Sequence, residues 1–231
     1  MVERVYEGKK TSIGILMLNT TFPRLKGDIG NEDTFDFPTA KYVVQHACPD
    51  NVVLETTEGL LPLFVEGAKQ LEKQGVRAIT TSCGFLSVYQ NELSEVVSIP
   101  VATSSLLMLP FISRLIGGRK IGILTANGDT LGRRHFAACG AENVPKEIMG
   151  MEGTEFYKMY VRGECNADLT VMETEIYDRA KKLIKARGDI GALLLECTNM
   201  PPFSSKLYEF GIPVFDAITL VDCLYSGFYV R

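Results

Sequence analysis

Histidine is nearly missing from this chain. Only His46 and His135 occur among 231 residues, which argues against a His-rich metal site. Close cysteine pairs are missing too. Cys48, Cys83, Cys139, Cys165, Cys197 and Cys223 are separated by gaps of 35, 56, 26, 32 and 26 residues. Zinc ribbons, iron–sulfur motifs and thioredoxin-type pairs all need closely spaced cysteines, so no metal or redox centre is expected. There is no dense Lys/Arg run, and the net charge is −4. That argues against nucleic acid or an anionic membrane as the main partner. No apolar run approaches the ~20 residues that span a bilayer. The first ten residues, MVERVYEGKK, carry charges with no apolar stretch behind them, unlike a secretory signal. The expected location is therefore cytoplasmic, where thiols stay reduced.

What is present reads as a soluble globular protein: 46% hydrophobic and 23% charged residues, enough for one large domain or two small ones. Strand-like apolar runs lie at 13–18, 52–54, 76–80, 99–102, 121–125, 192–195 and 212–215. Helix-like stretches lie between several of them. Residues 59–74 have apolar positions at helical spacing and are stopped by Gly75. Residues 168–187 start at an Asp168 N-cap candidate and end at Gly188. Alternating strands and helices predict an α/β fold with a mostly parallel sheet. The polar, Gly/Pro-rich stretch from about 20 to 41 reads as a long functional loop. It holds Arg24, a candidate for binding a substrate carboxylate, and Gly27-Asp-Ile-Gly-Asn31, a lid or a turn.

The chain also repeats itself. Residues 13–19 (IGILMLN) match 121–127 (IGILTAN) at an offset of 108 residues. Residues 77–85 (RAITTSCGF) resemble 191–199 (GALLLECTN) at an offset of 114, and 99–102 (IPVA) match 212–215 (IPVF) at 113. The three blocks keep their order, so the chain reads as a duplicated α/β unit whose halves meet near residues 104–119. In each half a strand ends on a cysteine, Cys83 or Cys197, and a helix-like segment follows. Open α/β sheets bind ligands at such strand ends. If the halves face each other, the two thiols share one cleft. Helix N-termini after each cysteine are expected to lower the thiol pKa. The N–H groups of Gly84, Phe85, Thr198 and Asn199 then form an oxyanion site. Ser82, Thr125, Thr198, Asn19 and Asn127 are further candidate donors. Glu196 reads as a surface charge or as a partner that orients Cys197. Thr103 and Ser104 read as helix N-caps or as cleft lining. Cys48, Cys139, Cys165 and Cys223 lack partners in the repeat and read as structural, as do the two histidines.

Two thiols on opposite sides of a small carboxylate suit proton removal from one face and return to the other. A duplicated α/β chain with a cysteine after the first-half strand and Cys197-Thr198 after the second resembles the aspartate/glutamate racemase superfamily. The resemblance runs from Ile13 to Phe215. It implies two pseudo-symmetric α/β lobes with the site between them, at 1–104 plus 216–231 and at 105–215. It also implies a cofactor-independent enzyme, commonly dimeric, with Cys83 and Cys197 as the catalytic pair. Where glutamate racemases carry Asp-Ser and Cys-Thr-His, this chain has Asn19-Thr20 and Cys197-Thr198-Asn199, which points away from glutamate. The expectation is an isomerase, a racemase or epimerase of an amino acid or derivative. A decarboxylase, a cis–trans isomerase or a non-enzymatic binding protein on the same fold stand as alternatives.

Overall fold

The computed structural model describes residues 12–54, 57, 59–164 and 168–228. The N-terminal ten residues and Cys165, both read above, lie outside the described residues. The chain forms two four-stranded sheets in succession. The first half contains β1 (Ile13–Leu18), β2 (Thr39–Val44), α1 (Leu61–Lys73), β3 (Ala78–Thr81), α2 (Gln90–Val96), β4 (Val101–Ala102) and α3 (Leu109–Leu115). The second contains β5 (Lys120–Thr125), α4 (Arg133–Ala138), β6 (Lys146–Gly150), α5 (Glu155–Tyr160), α6 (Leu169–Arg187), β7 (Ile190–Leu195) and β8 (Val214–Phe215). α7 (Ala217–Ser226) follows.

All strand pairs are parallel. The strand orders are β2-β1-β3-β4 and β6-β5-β7-β8, the same topology twice. The duplication extends to individual hydrogen bonds. Ser82 N–H donates to the Leu16 carbonyl at 2.9 Å, and Glu196 N–H to the Leu124 carbonyl at 2.8 Å. Ile79 N–H donates to Pro100 at 2.9 Å, and Leu193 N–H to Pro213 at 2.8 Å. β1 and β7 are apolar over their lengths, and β5 is apolar between Lys120 and Thr125, because both faces are covered, as parallel sheets require. α7 packs Ala217 and Val221 on Ile13, Ile15 and Ala78, so the chain's last helix covers the first sheet.

The sequence reading differs from the fold in three places. The apolar run at 52–54 is a π-helical turn, Asp50–Leu54, whose Val52 and Val53 are buried. Hydrophobicity alone does not separate a buried turn from a strand. Edge strands β2 and β6 were not anticipated, because their half-exposed residues mix apolar and polar types. Both expected helices form, and Asp168 caps α6 by accepting from Thr170 N–H at 2.8 Å. The segments after the two cysteines begin as short 3₁₀ turns instead of α-helices, at Gly84–Tyr89, Pro201–Phe203 and Ser205–Phe210.

Candidate active site

In both sheets the strand order reverses between the first and third strands in sequence, so each switch point opens beside the cysteine-bearing strand end. The two turns are built alike. Leu86 N–H donates to the Cys83 carbonyl and Met200 N–H to the Cys197 carbonyl, each at 3.1 Å. The halves are joined here. The Thr198 hydroxyl donates to the Ser82 carbonyl at 2.6 Å, and the Ser105 hydroxyl to the Leu195 carbonyl at 3.0 Å. Gly84 allows the close approach. A Cβ there would lie 2.1 Å from Glu196 Oε1 and 2.5 Å from its carbonyl oxygen, so no other residue fits without displacing backbone.

Cys83 and Cys197 line one narrow cavity between the halves. Its volume is about 20 Å³, roughly that of one water site. It is narrow without being sealed, since Cys83 on its wall is half-buried, and a substrate larger than water needs its walls to move. An outer pocket of about 160 Å³ adjoins it and shares the walls Thr20, Phe22, Pro49 and Val161. One chain of polar contacts crosses from half to half. Arg24 pairs with Asp28 at 3.0 Å and donates to Thr20 at 3.0 Å. Asp28, buried, accepts from the Asn199 amide, and the Asn199 carbonyl oxygen faces the Cys197 thiol at 3.6 Å.

Burial dominates the electrostatics. It pushes the Cys83 thiol up to about 12, helped by the Glu196 carboxylate. The Phe85 and Leu86 N–H groups and Arg24 act in the opposite direction. Cys197 is pushed well above the ordinary thiol range by burial and Glu196, with only the Asn199 N–H opposing among hydrogen bonds. The expected lowering by helix dipoles is therefore corrected: short 3₁₀ turns supply a few N–H donors, and desolvation outweighs them. Glu196 itself is raised to about 7 by burial, although the Thr125 hydroxyl donates to its Oε2 at 2.7 Å.

The structure brings Cys83, Cys197, Ser82, Gly84, Phe85, Thr198, Asn199, Arg24 and Glu196 to this cavity. It does not bring Thr125, Asn127, Thr103 or Asn19. Thr125 is engaged with Glu196. Asn127 caps the next turn, accepting from Asp129 and Thr130 N–H, because an Asx side chain bonds its own following backbone. Thr103 bonds Gln90, and Ser104 caps the turn at Ser105–Met108. Asn19 is exposed and lines the outer pocket. Asp28, Phe22 and Tyr160 line or brace the cavity and were missed, since loop 20–38 and α5 have no counterpart in the repeat. The Phe156, Met159 and Tyr160 stripe, all buried, was the available signal in α5. His135 is buried against Phe85, and burial pushes it down to about 4. Among the described residues no cluster has the makeup of a metal site, and no helix is long and apolar enough to cross a membrane.

A family model for Asp/Glu/hydantoin racemases matches residues 42–221. The chain is 33% identical to a dimethylsulfoniopropionate lyase from Durusdinium sp. clade D, over 95% of this chain and 76% of that protein. It is 28% identical to dimethylsulfoniopropionate lyase 5 of Emiliania huxleyi, over 94% of this chain, and spans 45% of that longer protein. In structure it is similar to allantoin racemase from Klebsiella pneumoniae (TM-score 0.64, 15% identity, 94% and 86% coverage). It is also similar to unliganded arylmalonate decarboxylase (TM-score 0.61, 18% identity, 95% and 94% coverage). The lyase relatives overturn the racemase expectation and the isomerase class with it. The α/β plan of this family does not fix whether the proton removed from carbon is returned to it.

Proposed function

The chain belongs to the Asp/Glu/hydantoin racemase family, and from that premise we propose that it is a lyase acting on dimethylsulfoniopropionate or a closely related β-sulfonio carboxylate. The observation that carries the reading is the similarity to a dimethylsulfoniopropionate lyase across 95% of the chain, joined to two thiols on one narrow cavity.

The chemistry follows from the substrate's charges. A thiolate takes a proton from the carbon next to the carboxylate. The electron pair of that C–H bond becomes the second bond of a C=C, and the C–S bond breaks. Dimethyl sulfide departs with the C–S electron pair as a neutral molecule, and acrylate remains. The leaving group needs no proton, so this reaction requires one base, where racemisation requires an acid as well. Cys83 is the assigned base, because two backbone N–H groups and Arg24 favour its ionised form. A bound sulfonium adds an opposite charge beside the thiol and draws its pKa down. Closing the cavity excludes water, which strengthens these interactions.

The test is headspace measurement of dimethyl sulfide from dimethylsulfoniopropionate, with Cys83→Ser and Cys197→Ser alongside. We expect Cys83→Ser to lose at least about 100-fold in kcat, the range for removing a positioned base. Loss confined to Cys197→Ser moves the base to that thiol. No dimethyl sulfide from the wild type, with CO2 release from malonates, abandons this reaction for decarboxylation.

A further inference from the structure

Nearly every side-chain polar group on the cavity wall already has a partner. Ser82 Oγ accepts from Leu18 N–H at 2.8 Å, and the Thr198 hydroxyl is given to Ser82. Thr20 is taken by Arg24, and Asn199 by Asp28 and Cys197. Two buried atoms on that wall are left without one: the Tyr160 hydroxyl and Glu196 Oε1. Buried polar atoms are ordinarily paired, so each exception calls for an explanation. One of these is a donor and the other an acceptor.

Tyr160 meets Phe22 edge to face at 4.9 Å, and the Arg24 guanidinium sits over the same Phe22 ring at 4.6 Å. Arg24 is itself committed to Asp28 and Thr20, so the Tyr160 hydroxyl is the free donor beside this ring. Glu196 stands at the end of β7 against Gly84, in electrostatic reach of both thiols. Cys197 bears electrostatically on Tyr160 as well, so one thiol interacts with both unpartnered groups. Burial, then Asp28 and Cys197, raise the Tyr160 pKa, so its hydroxyl remains a donor through the neutral range.

We propose that the cavity reads a small zwitterion at two points: the Tyr160 hydroxyl donates to the carboxylate, and Glu196 Oε1 faces the onium pole. This rests on the lyase reading above and names the residues that select its substrate. A carboxylate without a cationic pole, or an onium compound without a carboxylate, satisfies one end only.

The test uses calorimetric titration of the full chain at pH 8, where Glu196 is ionised, with two ligands that each keep one pole. The first is 4-methylpentanoate, which keeps the carboxylate and replaces the sulfonium by a neutral branched end. The second is 3-(dimethylsulfonio)propanamide, which keeps the sulfonium and replaces the carboxylate. Tyr160→Phe should weaken the first by about tenfold or more and leave the second within about twofold. Glu196→Gln should do the reverse. Equal weakening of both ligands by either variant means a structural role and overturns the assignment of that pole, as does no change. Each variant is judged separately, so misfolding of one leaves the other decisive. Selective losses without dimethyl sulfide release retain the poles and sink the lyase reading. Release without selective losses does the opposite.

Discussion

Glu196 concentrates the cost of this site in one residue. Its carboxyl is buried and raised from the ordinary 4.5 to about 7. A carboxyl whose pKa is higher in the folded than in the unfolded state binds its proton more tightly when folded. Its contribution is therefore full below the unfolded value and is lost as pH rises toward 7, where the folded form must carry a buried charge. The shift corresponds to about 3 kcal/mol. Glu196→Gln keeps the shape and removes the charge. It should melt at a higher temperature than wild type at pH 8 and close to it at pH 5, by calorimetry at both values. An unchanged difference between the two pH values would mean that Glu196 does not titrate in this window. The same charge raises both thiols, so Glu196→Gln should also speed their alkylation at pH 8. Cys83, with its two N–H donors, should react ahead of Cys197, as read by mass spectrometry of the labelled peptides.

The turn after β3 gives the clearest test of a single element. Gly84 lets the Cys83 turn approach the end of β7, and an added methyl meets backbone as well as side chain there. Gly84→Ala should cost about 1–3 kcal/mol by overpacking and cut activity sharply, because the thiol moves relative to the facing half. Denaturant midpoints and dimethyl sulfide release check the two effects. This element also shows what the sequence reveals. The repeated blocks identified β1, β3, β5 and β7 and placed Cys83 and Cys197 at matching strand ends, because strands buried on both faces keep mostly apolar residues, with buried threonines in β3 the exception. β2 and β6 lie at sheet edges, and Thr39–Val44 is mostly half-exposed, so no such record exists. Asn127 shows the limit for single residues. The repeat aligned it with Asn19, yet its side chain turns back on its own backbone. Equivalent positions in a duplication share backbone geometry, while their side-chain partners differ.

At the scale of the whole molecule, the site exists only where the halves touch, and there they share one apolar core in which Phe85 and Leu86 of the first half are clustered with Phe136 of the second. Loop 20–38 of the first half reaches the second through Asp28, which is held on one side by Arg24 and on the other by Asn199. The cavity behind is too small for a substrate as it stands. Because Phe22 and Val161 wall both cavity and outer pocket, movement of the loop is the natural route of admission. Asp28 then has two opposed duties: it fixes the closed loop and anchors Asn199 against the Cys197 thiol. Asp28→Ala removes one partner of a buried pair and should destabilise by about 3 kcal/mol or more. Hydrogen exchange should quicken first in residues 20–38, with the strands of both sheets less affected, since the loop alone loses its tie. Substrate should enter faster as the entrance loosens and react more slowly, because Arg24, which favours the Cys83 thiolate, loses its anchor. Exchange that quickens equally in loop and strands would show instead that Asp28 supports the fold as a unit and that the entrance lies elsewhere.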